Sequence, residues 1–203
     1  MVNQTETVLT WRPLDLVDVP RLSDWFRSSS DTAFFDRSWP LPIGRDGLQR
    51  GWQPALEQAT NPSSYWYIAE TDSQVPVGIC GLQDINYVQG DGTLPFFVAE
   101  HFRNRGLAKA MAIWMIDLSF RQLRLHRLTT YHRSDNAASE KVLTKLKFHN
   151  EGRIREGWNT VDGRKDTVIA GLLNSEWHAN RKSILSAAKS SCSLIFTPNC
   201  WRS

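Results

Sequence analysis

The sequence predicts a mixed α/β fold of the α+β kind: one mostly antiparallel sheet of about seven strands flanked by about four helices. Three observations point there. Strand-like segments separated by turn residues fill 64–100, the pattern of successive antiparallel hairpins. An apolar helical segment at 105–122 stands between two strand-like segments, and such a β–helix–β unit joins parallel neighbours. The full order reads β α α β β β α β α β β, which places both kinds of connection around a single sheet.

Taken in order, residues 7–12 (TVLTWR) alternate in character and predict the first strand. In LDLVDVPRLSDWF, Leu14, Val17, Leu22, Trp25 and Phe26 share a helical face, and Asp15 and Asp18 suit a first turn. Pro20 within that pattern predicts a kink or a late helix start. Residues 28–44 (SSSDTAFFDRSWPLPIG) predict a long loop, of the kind that often carries function in a compact domain. A second helix is expected at 46–59, weakened by Pro54. SYWYIAE (64–70), VPVGICGLQDI (75–85) and GTLPFFVAE (92–100) read as strands, with TDSQ and VQGDG as turns. Helix 105–122 and strand RLTTYH (127–132) follow. DNAASEKVLTKLK (135–147) predicts a helix with Asp135 or Asn136 near its cap and Val142, Leu143 and Leu146 on one side. FHNEGRIREGW and KDTVIAGLL read as the last two strands, joined by VDGR. Beyond Trp177 the chain turns serine-rich. The expected organisation is a domain over 1–177 and a tail over 178–203, mobile or docked through Leu194, Ile195 and Phe196.

Composition limits the function classes. Hydrophobic residues at 41% and charged residues at 22% match a soluble globular protein. Nine tryptophans support either a sizeable core or an aromatic-lined groove. A net charge of +3 is too balanced for a nucleic-acid footprint, yet leaves room for a locally positive site. Cys80, Cys192 and Cys200 are odd in number and lack metal spacing, so no metal site and a reducing compartment are expected. The opening MVNQTETVLTW has no basic segment followed by an apolar run, and no stretch reaches ~18 uninterrupted apolar residues. A cytoplasmic protein without signal peptide or membrane contact is the expectation.

The most informative stretch is HFRNRGLAKAMAIWMI, 101–116. A helix N-terminus carries unpaired N–H groups and the positive end of the dipole, which together attract phosphate. Gly106 allows close backbone approach, Ala108 adds no bulk, and Arg103 and Arg105 can supply charge-assisted hydrogen bonds. Leu107, Met111, Trp114 and Leu118 fall at helical spacing and would hold the first turn against the sheet. The geometry alone fits a solvated basic loop before a core helix equally well.

RNRGLA fits R-x-x-G-x-G/A and resembles the acetyl-coenzyme A signature of the GNAT N-acetyltransferases. DNAASEKVLTKLKF, about 30 residues on, resembles their next motif, N-x-x-S/A with a K-L-G-F ending, and Lys147 stands in place of that glycine. TVLTWRPLDLVDV and IREGW…VDGRKDTVIAGLLNSEW resemble the opening and close of the RimJ/RimL-type branch, which acetylates protein N-termini and related amines. The resemblance implies a GNAT fold with a splayed central parallel strand pair. It also implies direct transfer of acetyl from acetyl-CoA to a primary amine through a tetrahedral intermediate. The leading acceptor is a peptide N-terminus. A small amine (antibiotic, polyamine, aminoacyl-nucleotide) is the second reading, and a non-catalytic acetyl-CoA-binding module the third. A homodimer is possible.

By the same resemblance, Phe97, Val98, Arg103, Asn104, Arg105, Gly106, Leu107, Ala108, Asn136 and Ser139 hold the cofactor. An α-amino group with pKa near ~7.7–8.0 needs only a modest base or a water relay. Ser139 is the expected acid for the departing thiolate, with Asn136 orienting the arm. A main-chain N–H near Val98 would polarise the thioester oxygen, an effect on the order of 3 kcal/mol. Glu156 and Asp84 are the candidate bases. In RimL-like enzymes a glutamate often lies where Trp158 falls, and Leu143 occupies the position of a tyrosine acid in other branches. His101 and His132 stay outside the catalytic set as structural histidines. The aromatic segment AFFDRSW, with Asp36 and Arg37, and Trp52 and Trp66 either line the acceptor groove or complete the core.

Overall fold

The computed structural model describes residues 9–26, 44–58 and 62–189. Strand β1 spans Leu9–Pro13, and helix α1 spans Val19–Leu22 with a 3-10 turn, Ser23–Phe26, behind it. Pro20 sits in the first turn of α1, where its missing N–H costs nothing. The late start is thus what this proline produces. Helix α2, Arg45–Leu56, carries Pro54 in its last turn and ends there. Strands β2 (Tyr65–Thr71), β3 (Pro76–Asn86), β4 (Asp91–Thr93) and β5 (Phe96–Val98) lead to helix α3, Leu107–Arg121. Strand β6 (Arg127–Arg133), helix α4 (Ala137–Lys145), strands β7 (His149–Thr160) and β8 (Gly163–Leu173) and helix α5 (Asn174–Lys189) complete the described chain.

The eight strands form one sheet in the order β1-β2-β3-β4-β6-β8-β7, with β5 also paired to β3. Among the described strands only β4 and β6 run parallel; the other pairings are antiparallel. The segment expected as one strand at 92–100 is divided at Leu94 and Pro95. Both pieces keep one register on β3, since Gln83 faces Thr93 and Cys80 faces Phe96. Proline cannot donate to the ladder and holds φ near −65°, so the strand bends here; its carbonyl still accepts from Gly81 N–H at 3.0 Å.

The sheet's two faces carry separate cores. On one, α3 is buried nearly all round, through Leu107, Met111, Ile113, Met115 and Ile116 among others, and packs with Leu82, Leu94, Leu128 and Leu172. A helix apolar on every side belongs at a centre. On the other, Leu14, Val19, Leu22, Phe26, Leu48 and Trp52 of the α1–α2 region cover Trp66, Ile68, Ile79 and Phe97. Arg12 ties this layer to the sheet: its Nη1 and Nη2 donate to both Asp18 oxygens at 2.6 and 2.7 Å, and its Nε donates to Glu70 at 2.9 Å. Arg21 bonds the same two carboxylates at 3.2 and 3.1 Å. Asp18, read as a first-turn helix acid, makes no cap bond of its own and serves this network instead. Burial raises its pKa and the Arg12 bonds lower it, with a net lowering.

Helix α5 crosses the boundary expected at 177. Trp177, Ile184 and Ala188 are buried in the large core, so this part of the serine-rich stretch is docked helix. Leu194, Ile195 and Phe196 lie outside the described residues. At the end of α4, Lys147 holds φ +68°, a left-handed conformation that glycine adopts without the Cβ penalty. Lys147→Gly is expected to stabilise the fold by about 0.5–1 kcal/mol, measured as a higher urea midpoint at unchanged slope.

Candidate active site

The parallel pair opens into a slot. Asp91, Gly92 and Thr93 lie beside Arg127, Leu128 and Thr129. The last link is Leu94 N–H to Thr129 O at 2.8 Å. Beyond it β5 pairs with β3 and β6 with β8. The hydrogen-bond alternation fixes which backbone groups face the opening. Ala99 N–H donates to Val77 O, and Pro95 O accepts from Gly81 N–H, so odd-numbered residues face β3. Phe96 and Val98 therefore turn their backbone groups away from β3 and into the slot. On the opposite wall, Ser134 N–H bonds Asp166 O while Thr129 O bonds Leu94. Tyr131 and Arg133 thus present their backbone groups to the same slot. The expected N–H at Val98 lies on this wall.

Because β5 and β6 run parallel, the helices that follow them begin at the same end of the slot. After β5 comes a 3-10 turn, Glu100–Phe102, then a corner with Asn104 at φ +62° and Gly106 at φ +80°. Two left-handed residues cannot belong to an α-helix, so α3 starts at Leu107 and not at Arg105. Gly106 is its N-cap and no side chain caps it, which leaves the first N–H groups open to a ligand. Arg103, Asn104, Arg105 and Gly106 are exposed, Leu107 is buried and Ala108 is half-buried. Arg103 Nε donates to Val98 O at 3.1 Å, and its guanidinium lies 5.5 Å from the Phe97 ring centre. Arg105 lies over Phe102 in the same way. Both arginines are thus held against the strand end with the corner between them.

Asn136 is the N-cap of α4, its Oδ1 accepting from Ser139 N–H at 3.1 Å. Its side chain does the work of a helix cap, and Ser139, half-buried, sits one turn in. The structure thus gathers Val98, Arg103–Ala108, Asn136 and Ser139 around one end of the slot. Phe97 points the other way, into the α1–α2 layer, against Trp25 and Phe26 at ring distances of 5.7 and 5.2 Å.

Other candidates stand elsewhere. Glu156 is exposed in a bulge of edge strand β7, at φ +52°, with its N–H on Asp166 Oδ1 at 2.9 Å. Two strand spacings, roughly 10 Å, separate β7 from β6. Asp84 is exposed at the β3 bulge with φ +51°. It lies six residues past Gly78, the partner of Val98, or roughly 20 Å down the strand. His101 is exposed. His132 is 7% exposed, and its Nδ1 has no partner among the described residues. Burial lowers its pKa, Glu140 opposing, so the ring is neutral at pH 7. Trp52 and Trp66 meet edge to face at 4.6 Å in the smaller core, and Leu143 is a core residue. AFFDRSW, with Asp36 and Arg37, lies outside the described residues. No cluster of metal-ligating side chains occurs among the described residues, and none of their helices is long and apolar enough to cross a membrane.

One face of the β6-β8-β7 half continues the surface that α1 and α2 cover elsewhere. Strand alternation puts Arg127, Thr129, Tyr131 and Arg133 there, with Gly171, Ile169 and Thr167 opposite them. Glu151 of β7 reaches over Gly171, whose missing side chain makes room for the carboxylate, and pairs with Arg127. Arg133 Nε pairs with Asp135 at 2.5 Å.

A parallel strand pair that splays at its C-terminal ends, with an uncapped glycine corner at the head of the following helix, offers backbone groups and a helix N-terminus to an anionic ligand. The family model described as Acetyltransferase (GNAT) domain matches residues 9–149, and the chain belongs to this family. It is a GNAT-family N-acetyltransferase, and acetyl-CoA is its co-substrate. The chain is 26% identical over 172 residues to the uncharacterized N-acetyltransferase p20 of Bacillus licheniformis, covering 83% of this chain and 94% of that protein. It is 25% identical over 104 residues to YdaF of Bacillus subtilis (strain 168), provisionally named a ribosomal N-acetyltransferase, covering 51% and 57%. In fold it is similar to the spermidine N-acetyltransferase of Vibrio cholerae solved with CoA and spermine, with a TM-score of 0.74 and 19% identity over 84% of this chain and 98% of that one.

Proposed function

We propose that the protein transfers acetyl from acetyl-CoA to the α-amine of a peptide N-terminus, in the manner of the RimJ/RimL-type branch. The observation that carries this reading is the slot between β5 and β6, with the Arg103–Ala108 corner at its mouth. In this reading the corner's N–H groups and arginines hold the diphosphate. The slot's backbone edges hold the pantetheine arm, and Val98 N–H polarises the thioester carbonyl. Ser139 donates a proton to the leaving thiolate, and Asn136 keeps the first turn of α4 in place. Glu156 and Asp84 stand apart from this end of the slot, so a water relay on the acceptor side removes the amine proton. A reducing, cytoplasmic location suits a buried free Cys80.

Charge supports this acceptor class. A polycation needs unmatched carboxylates. Among the described residues of the β6-β8-β7 half, Glu151 is matched by Arg127 at one end of β6 and Asp135 by Arg133 at the other, which favours a singly charged N-terminus. The YdaF likeness supports the same class. The spermidine acetyltransferase likeness keeps a small polyamine as the second reading.

The test is thiol release from acetyl-CoA across N-terminal peptides, spermidine and aminoglycosides. Peptide turnover above that of the small amines supports the proposal; turnover of spermidine alone overturns the acceptor, and no release with any amine overturns the enzyme reading. Ser139→Ala is expected to lower kcat about 10–100-fold while acetyl-CoA affinity changes less than about 2-fold. Wild-type kcat would remove Ser139 as the acid.

A further inference from the structure

Buried polar groups nearly always have hydrogen-bond partners, and each exception calls for a reason. Two exceptions lie together on the face of the β6-β8-β7 half that is turned away from α3. Thr167 is 0% exposed and Trp158 is 5% exposed. Thr167 Oγ1 and Trp158 Nε1 are both buried without a partner among the described residues. Their neighbourhood follows from the register. Thr167 faces Arg133 on one side and Ile154 on the other, and Trp158 faces Lys165, two residues from Thr167. Side chains two apart on a strand share a face, so the hydroxyl and the indole N–H sit on the same side. The β7 bulge between Ile154 and Trp158 brings Gly157 against the threonine: a Cβ there would lie 2.7 Å from Thr167 Oγ1. Glycine at 157 thus lets the hydroxyl lean toward the bulge that carries Trp158.

We infer that Trp158 Nε1–H and Thr167 Oγ1–H form a donor pair for an oxygen atom of the amine substrate, a carbonyl or carboxylate borne close to its amino group. The inference rests on the acyl-transfer reading and narrows its acceptor. Indole N–H is a donor only, and a hydroxyl can donate, so the pair selects an acceptor atom. An ammonium offers donors alone and gains nothing here, whereas a peptide carries an acceptor in its first residue. Location agrees. Arg133, the ladder partner of Thr167, forms the slot wall through its backbone, so the hydroxyl stands one strand spacing from the slot, roughly 5 Å, and the β7 indole two, roughly 10 Å, with the shared oxygen between them. A peptide carbonyl one or two units from the reacting nitrogen spans that distance. Without a ligand both donors weaken the fold; paired with a substrate oxygen they discriminate strongly, because an analogue lacking the oxygen leaves them unpaired.

The test uses the full chain saturated with coenzyme A and titration calorimetry with two singly charged amines, alanyl-alaninamide and butylamine. The wild type is expected to prefer the dipeptide amide at least ~10-fold. Thr167→Val, close to isosteric, and Trp158→Phe are each expected to remove most of that preference without changing coenzyme A affinity, and Thr167→Ser is expected to retain it. Absence of a wild-type preference overturns the inference. So does a preference that survives both Thr167→Val and Trp158→Phe, with melting temperatures raised by removal of unpaired donors. Failure of the acyl-transfer reading registers separately, as no thiol release from acetyl-CoA with either amine, because the binding comparison needs no turnover.

Discussion

Gly106→Asp is expected to lower acetyl-CoA affinity at least ~100-fold, about 2.7 kcal/mol. Gly106 stands at φ +80° as the uncapped N-cap of α3, and asparagine and aspartate are the non-glycine residues that best tolerate that region. The substituted backbone therefore keeps its course, and the loss comes from what the side chain does. A carboxylate there caps the open N–H groups itself and repels a diphosphate. Gly106→Asn separates the two effects, since it caps without charge, and is expected to cost only about 10-fold. Calorimetric titration of both variants, with melting temperatures as a control for folding, checks the result. Unchanged affinity in Gly106→Asp would remove the corner from the binding site.

The second large effect is structural. Asp117 on α3 accepts from Trp177 Nε1 at 2.8 Å and from Arg181 Nε and Nη2 at 2.8 and 2.5 Å. Trp177 is fully buried, so removing its acceptor strands an indole N–H as well as two guanidinium donors. Asp117→Ala is expected to destabilise the fold by about 3 kcal/mol, lowering Tm by about 6–12 °C. Asp117→Asn, which still accepts from the indole, is expected to lose about half as much. Burial pushes the Asp117 pKa up, but the Arg181 and Trp177 bonds outweigh it and hold it below the ordinary carboxylate value. A depressed folded pKa contributes stability that is complete above the unfolded pKa, about 4, and is lost as pH falls through the folded one. The acid side of a Tm-against-pH curve is therefore steeper in the wild type than in Asp117→Asn. A wild-type melting temperature in Asp117→Ala would refute the docking role of this carboxylate.

Much of the fold is legible in the chain because several segments agree at every level. Residues 65–71 and 76–86 form strands close to the bounds that their β-branched and aromatic content and turn residues indicate. Helix α3 is apolar over most of its surface, as its central position demands. The corner at 103–108 is readable through its order and spacing with the 135–148 segment, since glycine and arginine at a strand-to-helix junction fit a solvated loop as well. Local signals fail where distant partners decide. Asp18 looks like a first-turn helix acid, yet its partners include Arg12, six residues back, and that arginine also holds Glu70, 58 residues away from it. Helix α5 hides in serine-rich sequence because its buried positions, Trp177, Ile184 and Ala188, form a sparse stripe. The β7 bulge between Ile154 and Trp158 breaks period-two counting, so the faces of Glu156 and Trp158 cannot be counted from the strand's start. Sequence reading also missed Thr167, whose meaning depends on a glycine in the neighbouring strand.

The bend at Pro95, between β4 and β5, follows from proline's fixed φ and missing N–H, so the parting of the strands is a property of the chain. Main-chain hydrogens of Val98, Tyr131 and Arg133 should then trade rapidly for solvent deuterium in the empty protein and slowly once the cleft is filled, while that of Leu94, bonded across the last link, keeps one pace throughout. Proline at 95 thus writes the parting of the sheet into the covalent chain itself.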